Sequence, residues 1–181
     1  NDTLDGGAGD DVLSYAGGAD ILSGGDGDDL AVIDKTWASV TGYELNRTAL
    51  TFEWAGGDSV FLNSDIETIQ LNDYTFKYMV ASASGDTLDG GDAQALILGG
   101  AGDDLLIAGS QDYGAFSGYA GNDTIVGGVG LDQMYGGDGL DFASYQEDTV
   151  GVSVSLAAGT ASGGDAEGDL LQGIEGLIGG S

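Results

Sequence analysis

Carboxylates recur in this chain at a fixed interval. Aspartate stands at Asp2, Asp11, Asp20 and Asp29, nine residues apart, and the same phase returns at Asp86, Asp104, Asp123, Asp132 and Asp141. Two residues after the first four come Leu4, Leu13, Leu22 and Ala31, and Gly-Gly opens the unit at Gly6-Gly7 and Gly24-Gly25. The unit reads GGxGxDxUx, with U apolar. Side-chain carboxylates set among glycine-rich turns, whose main-chain carbonyls point into the same space, form an all-oxygen environment. That is the chemistry of a hard cation such as calcium, which takes about six to eight oxygen ligands.

Such a unit positions its aspartate in a simple way. Six residues make a turn and three make a short strand. Glycine is needed because turns this tight use φ > 0, which costs other residues energy. The apolar residue points inward and stacks on its neighbours from coil to coil. Successive turns fall on opposite edges of the roll, so aspartates that share an ion stand about eighteen residues apart. A flexible Gly/Asp linker does not keep an apolar residue in a nine-residue phase. The expected fold is all-β: a parallel β-roll with an inserted antiparallel β segment.

Four stretches follow from the pattern. Residues 1–32 are a first block of repeats, whose last unit places Ala31 inward, so the stack is expected to narrow or end there. Residues 33–80 hold all three basic residues (Lys35, Arg47, Lys77) and both tryptophans (Trp37, Trp54). Leu50, Phe52 and Trp54 alternate onto one face, and Gly56-Gly57-Asp58 signals a hairpin. This is an aromatic-rich β insert of four or five strands, read either as a local core or as a carbohydrate-binding surface. Residues 81–144 are a second block. Ala95 stands where aspartate belongs, and the ten-residue unit 108–117 puts Tyr113 near that position. One row is then Asp86, Asp104, Asp123 and Asp141. The other is Ala95, Tyr113 and Asp132, with no aspartate eighteen residues from Asp132. Residues 145–181 are a β spacer leading into a further repeat, in which Val152, Val154 and Leu156 alternate and Asp169 and Leu171 restore the D-x-U spacing.

Composition narrows the function. The chain has 181 residues, with Lys+Arg 3 against Asp+Glu 31 and a net charge of −28. Nucleic acid and anionic membrane surfaces are excluded as partners by sign. Charge of this density opposes compaction until cations neutralise it, so folding is expected to be coupled to metal binding. Histidine and cysteine are absent, which rules out Ser-His-Asp or Cys-His catalysis, disulfides and imidazole- or thiolate-bound zinc. Glu53 and Glu67 lie in separate expected strands with no pocket signal, so a two-carboxylate glycosidase is not favoured. No GK[ST] follows any of the glycine clusters. No apolar run of membrane length is present. Asn1 falls at position five of a unit and Gly179-Gly180-Ser181 reads as the start of another, so the sequence is expected to be a window in a longer array.

The nonapeptide resembles that of the RTX (repeats-in-toxin) family of secreted bacterial proteins. The resemblance implies that each ion lies between two turns on one edge. The first turn supplies carbonyls from its second and fourth residues and its aspartate. The next turn supplies carbonyls from its first and third residues and its own aspartate. Mapped here, one site is Gly7, Gly9 and Asp11 with Gly24, Asp26 and Asp29. Another has Asp2 with Tyr15, Gly17 and Asp20. In the second block the sets are Ser82, Ser84 and Asp86 with Gly99, Ala101 and Asp104, and then Gly100, Gly102 and Asp104 with Gly118, Ala120 and Asp123. A third set there is Tyr119, Gly121 and Asp123 with Gly136, Asp138 and Asp141, while Asp132 holds at most one weak ion. About four to six calcium ions, bound in the weak range of extracellular modules, are expected. The resemblance implies secretion to the cell exterior or surface and folding on calcium outside the cell. Three functions stay open: a non-enzymatic structural segment of an adhesin or surface-layer protein, the accessory domain of a secreted hydrolase or pore-forming toxin, and a lectin-like module using Trp54. Partners beyond calcium are then neighbouring copies, adjoining domains or surface glycans.

Overall fold

The computed structural model describes residues 1–81, 85–110 and 113–179. The chain divides into two compact units, Asn1–Tyr78 and Met79–Ser181. Both are built on parallel strands that alternate between two sheets, as the nine-residue phase requires. The fold is an all-β parallel β-roll with antiparallel segments.

In the first unit, β1 (Thr3–Ala8) pairs in parallel with β3 (Ala19–Asp26), Thr3 opposite Ile21 and Leu4 opposite Leu22. On the other sheet β2 (Val12–Tyr15) pairs with β4 (Leu30–Ile33), Leu13 opposite Ala31. Both registers are eighteen residues, the length of one full coil. Leu13, Leu22 and Ala31 are buried between the sheets, where the repeat phase puts them.

The stack does not end at Ala31. After a hairpin of β5 (Val40–Asn46) and β6 (Ala49–Trp54), the chain returns as β7 (Ser59–Asn63), parallel to β3, and β8 (Thr68–Gln70), parallel to β4. Leu62 then lies opposite Leu22 and Ile69 opposite Ala31, all buried. A third coil therefore continues the roll inside the stretch read as an insert. It hides from the repeat pattern because its turn is short and carries no Gly-Gly. β6 runs antiparallel to both β5 and β7, and β9 (Thr75–Val80) runs antiparallel to β8.

The aromatic side chains of this region form a core. Phe52, Trp54, Phe76 and Tyr78 are buried. Trp37 meets Phe52 edge-on, with centroids 6.1 Å apart, and Trp54 stacks on Tyr15 at 5.5 Å. Trp54 is 5% exposed, so its ring offers no open face to a sugar, and the lectin reading built on it fails. Burial of this area is what a narrow roll with one apolar residue per strand lacks.

The second unit repeats the plan. β10 (Thr87–Asp89), β12 (Leu105–Ile107), β14 (Thr124–Val126), β16 (Phe142–Tyr145) and β20 (Gly176–Gly179) form one parallel sheet. β11 (Gln94–Ala101), β13 (Tyr113–Ala120), β15 (Leu131–Asp138) and β19 (Leu170–Gln172) form the other. The register is nineteen across the ten-residue unit, Leu105 opposite Thr124 and Ala95 opposite Gly114, and eighteen elsewhere in the block. Ile97, Leu106, Phe116, Ile125, Met134 and Ala143 fill the core.

The spacer also belongs to the roll. β17 (Ser153–Ser155) and β18 (Thr160–Ser162) form an antiparallel hairpin, turned at Gly159 with φ +66°. The chain then completes another coil through β19 and β20, with Leu171 opposite Met134 and Leu177 opposite Ala143. Among the described residues no helix is long and apolar enough to cross a membrane.

Candidate metal sites

The register brings the carboxylates into rows, and one hydrogen bond recurs along them. The main-chain N–H of an acidic residue donates to the carboxylate of the acidic residue one coil later. Asp2 donates to Asp20 (2.8 Å) and Asp11 to Asp29 (2.8 Å). In the second unit Asp86 donates to Asp104 (2.7 Å), Asp104 to Asp123 (2.8 Å) and Asp123 to Asp141 (2.8 Å). These are the rows Asp2–Asp20, Asp11–Asp29 and Asp86–Asp104–Asp123–Asp141.

Each bond uses one carboxylate oxygen, Oδ1, and so fixes the direction of the other. The second oxygen, Oδ2, is buried without a hydrogen-bond partner in Asp11, Asp29, Asp123 and Asp141. In Asp104 it accepts the Gly100 N–H at 2.8 Å. A buried carboxylate oxygen with nothing to accept is costly unless a cation answers it.

Main-chain carbonyls border the same spaces. A β-carbon placed on Gly6 would lie 2.7 Å from Asp11 Oδ2 and 2.6 Å from the Gly24 carbonyl oxygen. On Gly99 it would meet Asp104 Oδ2 at 2.7 Å and the Gly118 carbonyl at 2.5 Å; on Gly118, Asp123 Oδ2 at 2.1 Å and the Gly136 carbonyl at 2.6 Å. Three times, then, a carboxylate oxygen and the carbonyl of the next coil's first glycine converge on a cradle that only glycine leaves open. These are the pairings Asp11 with Gly24, Asp104 with Gly118 and Asp123 with Gly136. Among the described residues no three acidic side chains converge on one point. The donor set is therefore paired carboxylates with main-chain carbonyls, all hard oxygen, and it fits calcium.

The turns are held in the left-handed region at their second and fourth residues: Gly7 and Gly9, Gly25 and Gly27, and Gly137 and Gly139. Tyr119 takes the second position of its turn at φ +74° and is the one non-glycine residue with positive φ among those described. Ala101 and Ala120 close β11 and β13 and lie opposite one another, and Asp138 follows in the same register. Asp26 pairs with Ala8 at the end of β3. Tyr15 is buried and its hydroxyl donates to the Gly18 carbonyl, beside Gly17 at φ +130°. Ser82 and Ser84 lie outside the described residues.

The second edge of the later block differs from its expected form. Gly114, not Tyr113, lies opposite Ala95 and Asp132, because the extra residue of the ten-residue unit shifts the register. Asp132 also has a carboxylate partner. Its N–H donates to Asp169 Oδ1 at 2.9 Å, and Asp169 Oδ2 accepts the Tyr145 hydroxyl at 2.9 Å. The hairpin β17–β18 lies between the two in sequence, so the spacing is thirty-seven rather than eighteen. Neither Asp132 carboxylate oxygen makes a hydrogen bond.

Electrostatics mark the same places. Burial, followed by the charge of Asp169, pushes the Asp132 carboxyl up to about 8, partly offset by the nearby Gly114 amide. Burial also raises Asp169, Asp123 and Asp141. For Asp123 the charges of Asp141 and Asp104 add to it, against the Asp104 N–H. These are the shifts of like charges crowded out of water, and a divalent cation reverses them.

The sequence reading placed none of Glu67, Glu175 and Tyr145 in a metal site, and weighed Glu67 only as half of a catalytic pair with Glu53. The N–H of Asp29 donates to Glu67 Oε2 at 2.8 Å and that of Asp141 to Glu175 Oε2 at 3.0 Å. Two of the three rows thus end on a glutamate. The available signal was an acid-x-apolar step, Glu67-Thr68-Ile69 and Glu175-Gly176-Leu177, with glutamate in place of aspartate.

The family model described as the RTX calcium-binding nonapeptide repeat (4 copies) matches residues 1–31, 80–113 and 116–143, just over half of the chain. No curated protein matches. Among solved structures, the crystal structure of the extracellular lipase LipA from Serratia marcescens is similar, with a TM-score of 0.40 and 20% identity. The match covers 99% of this chain and 36% of that one.

Proposed function

Since this chain belongs to the RTX calcium-binding nonapeptide repeat family, we propose that it is a structural segment of a larger secreted protein that folds when calcium fills its turns. The observation that carries the reading is the set of buried Oδ2 oxygens at Asp11, Asp29, Asp123 and Asp141, each without a hydrogen bond inside a glycine-lined cradle. The segment is non-enzymatic. Its paired carboxylates are committed to main-chain amides along the rows, and the sequence has no histidine or cysteine.

The ligands are the aspartates of each row with the carbonyls of the flanking turns, Gly7, Gly9 and Gly24 around Asp11 and Asp29, and Gly100, Gly102, Gly118, Gly121 and Gly136 around Asp104, Asp123 and Asp141. Bound calcium supplies positive charge between like-charged carboxylates. The chain's residues hold the oxygens in register, exclude water with the apolar stack and keep the turns in left-handed geometry. At a net charge of −28, metal-free turns repel one another and the repeats lose their shape. Such a segment suits a protein of adhesin or surface-layer type, unfolded where calcium is scarce and rigid outside the cell.

Far-UV circular dichroism during a calcium titration of the chelated chain tests the proposal. The expected result is a cooperative gain of β signal that magnesium does not reproduce. A spectrum indifferent to chelator and calcium overturns it. A catalytic domain encoded in the same reading frame would reassign the segment as the accessory part of a secreted enzyme or toxin.

A further inference from the structure

Two of the rows of carboxylates run past the nonapeptides onto a glutamate, and we propose that Glu67 and Glu175 each close an additional calcium site, one shared with Asp29 and one with Asp141. The inference rests on the calcium reading above and extends it to residues outside the repeats, since the family match stops at residues 31 and 143.

The two places share the architecture of the interior sites. At the first, a β-carbon on Gly24 would lie 2.2 Å from Asp29 Oδ2 and 2.4 Å from the Asp65 carbonyl oxygen. At the second, a β-carbon on Gly136 would lie 2.5 Å from Asp141 Oδ2 and 1.9 Å from the Gly173 carbonyl oxygen. Interior cradles show the same two oxygens at 2.1 to 2.7 Å. Glu67 and Glu175 accept the amides of Asp29 and Asp141 just as aspartates do elsewhere in the rows.

The turns that carry the two glutamates differ in length from the repeat turns. Leu30 follows Leu22 by eight positions, whereas their partners Leu62 and Thr68 are six apart. Phe142 follows Tyr135 by seven positions, whereas their partners Gln172 and Gly176 are four apart. Both closing turns are therefore shorter than a repeat turn. The acid keeps its place in the register: Glu67 precedes Thr68 as Asp29 precedes Leu30, and Glu175 precedes Gly176 as Asp141 precedes Phe142. The Asp65 side chain braces the first closing turn, accepting from Ser23 Oγ at 2.7 Å and from the Gly24 N–H at 3.1 Å. Its carbonyl is left facing the cradle.

The sites do not rest on clustered acids alone. Asp29 is 1% exposed and Asp141 0%, and the Oδ2 of each points into its cradle with no partner. Two units with different sequences each end a row in this way.

Anomalous diffraction from crystals of the full chain grown with terbium in place of calcium tests the inference. The expected map has a peak beside Asp29 Oδ2 and the Asp65 carbonyl and another beside Asp141 Oδ2 and the Gly173 carbonyl, besides those along the interior rows. Interior peaks with none at these two places overturn the inference and leave the calcium reading standing. No peaks anywhere overturn both. In solution, Glu67→Gln and Glu175→Gln should each lose one ion by equilibrium dialysis, or hold it at least about tenfold more weakly, with Asp5→Asn unchanged as a surface control. Retention of every ion at full affinity in both variants overturns the inference, and a variant that fails to fold leaves the decision to the map.

Discussion

The amide of Asp104 is bound to the carboxylate of Asp123, 2.8 Å away and one coil later, while the amide of Asp123 is bound in turn to Asp141. Asp123 is thus donor to one neighbour and acceptor for the other, and its second carboxylate oxygen is left for a cation. Asp123→Ala removes that oxygen and orphans the buried Asp104 amide, a loss of about 1–3 kcal/mol before any metal is counted. Calcium titration by calorimetry should show at least two weakened sites. Loss confined to a single site would mean that neighbouring ions do not share this carboxylate.

Asp132 predicts an inverted response. Its carboxyl, pushed up to about 8 by burial and by Asp169, holds a proton more tightly folded than unfolded. A raised carboxyl pKa stabilises the fold below the unfolded value, about 4, and the benefit is lost as pH rises through about 8. Metal-free protein should therefore melt at lower temperature at pH 8 than at pH 5. Asp132→Asn should flatten that dependence and raise the metal-free Tm at pH 8, while reducing the gain from calcium. A metal-free Tm that rises between pH 5 and pH 8 contradicts this assignment.

Backbone contact separates two glycines that both have positive φ. Gly121 (φ +136°) would place a β-carbon 2.0 Å from the Gly102 carbonyl oxygen, whereas Gly7 (φ +103°) has open space. Gly7→Ala should cost about 1–2 kcal/mol, the strain of an L-residue in left-handed geometry. Gly121→Ala should cost about 2 kcal/mol more or prevent folding, because a neighbouring backbone must move. Denaturant unfolding in saturating calcium measures both. Equal costs would show that coils separate easily.

The aromatic core of the first unit should be the part least dependent on metal. Phe52 is fully buried against Trp37, Trp54 and Phe76. In chelator, tryptophan fluorescence should retain a buried emission after the β signal of the repeats has fallen. Phe52→Ala, at about 3–5 kcal/mol, should abolish that retained signal. Simultaneous loss of both signals in the unsubstituted chain would show that calcium also holds this core.

Much of this was legible because a nine-residue phase ties three things to one spacing: the inward apolar residue, the turn glycines and the acid. Asp104, Asp123 and Asp141 fall into their row, and Leu106 and Ile125 into the core, on that basis alone. Phase fails where a turn changes length. Gly114 replaced Tyr113 in the second row because the extra residue shifts the register to nineteen. Asp169 escaped pairing with Asp132 because a hairpin intervenes, and Glu67 and Glu175 because their shortened turns leave the nine-residue phase. The third coil through Leu62 and Ile69 was hidden for the same reason, since strand pairing tolerates an excursion of any length that returns in register.

The amides of the row acids are tied to the coil that follows, while the amides beside them, of Asp28, Asn122 and Leu140, are tied to the coil before. Neighbouring coils are thus cross-bonded in both directions, and a load from either end meets the same bonds. Extension then proceeds as a series of discrete rips, each releasing one coil of eighteen residues, roughly 60 Å of chain.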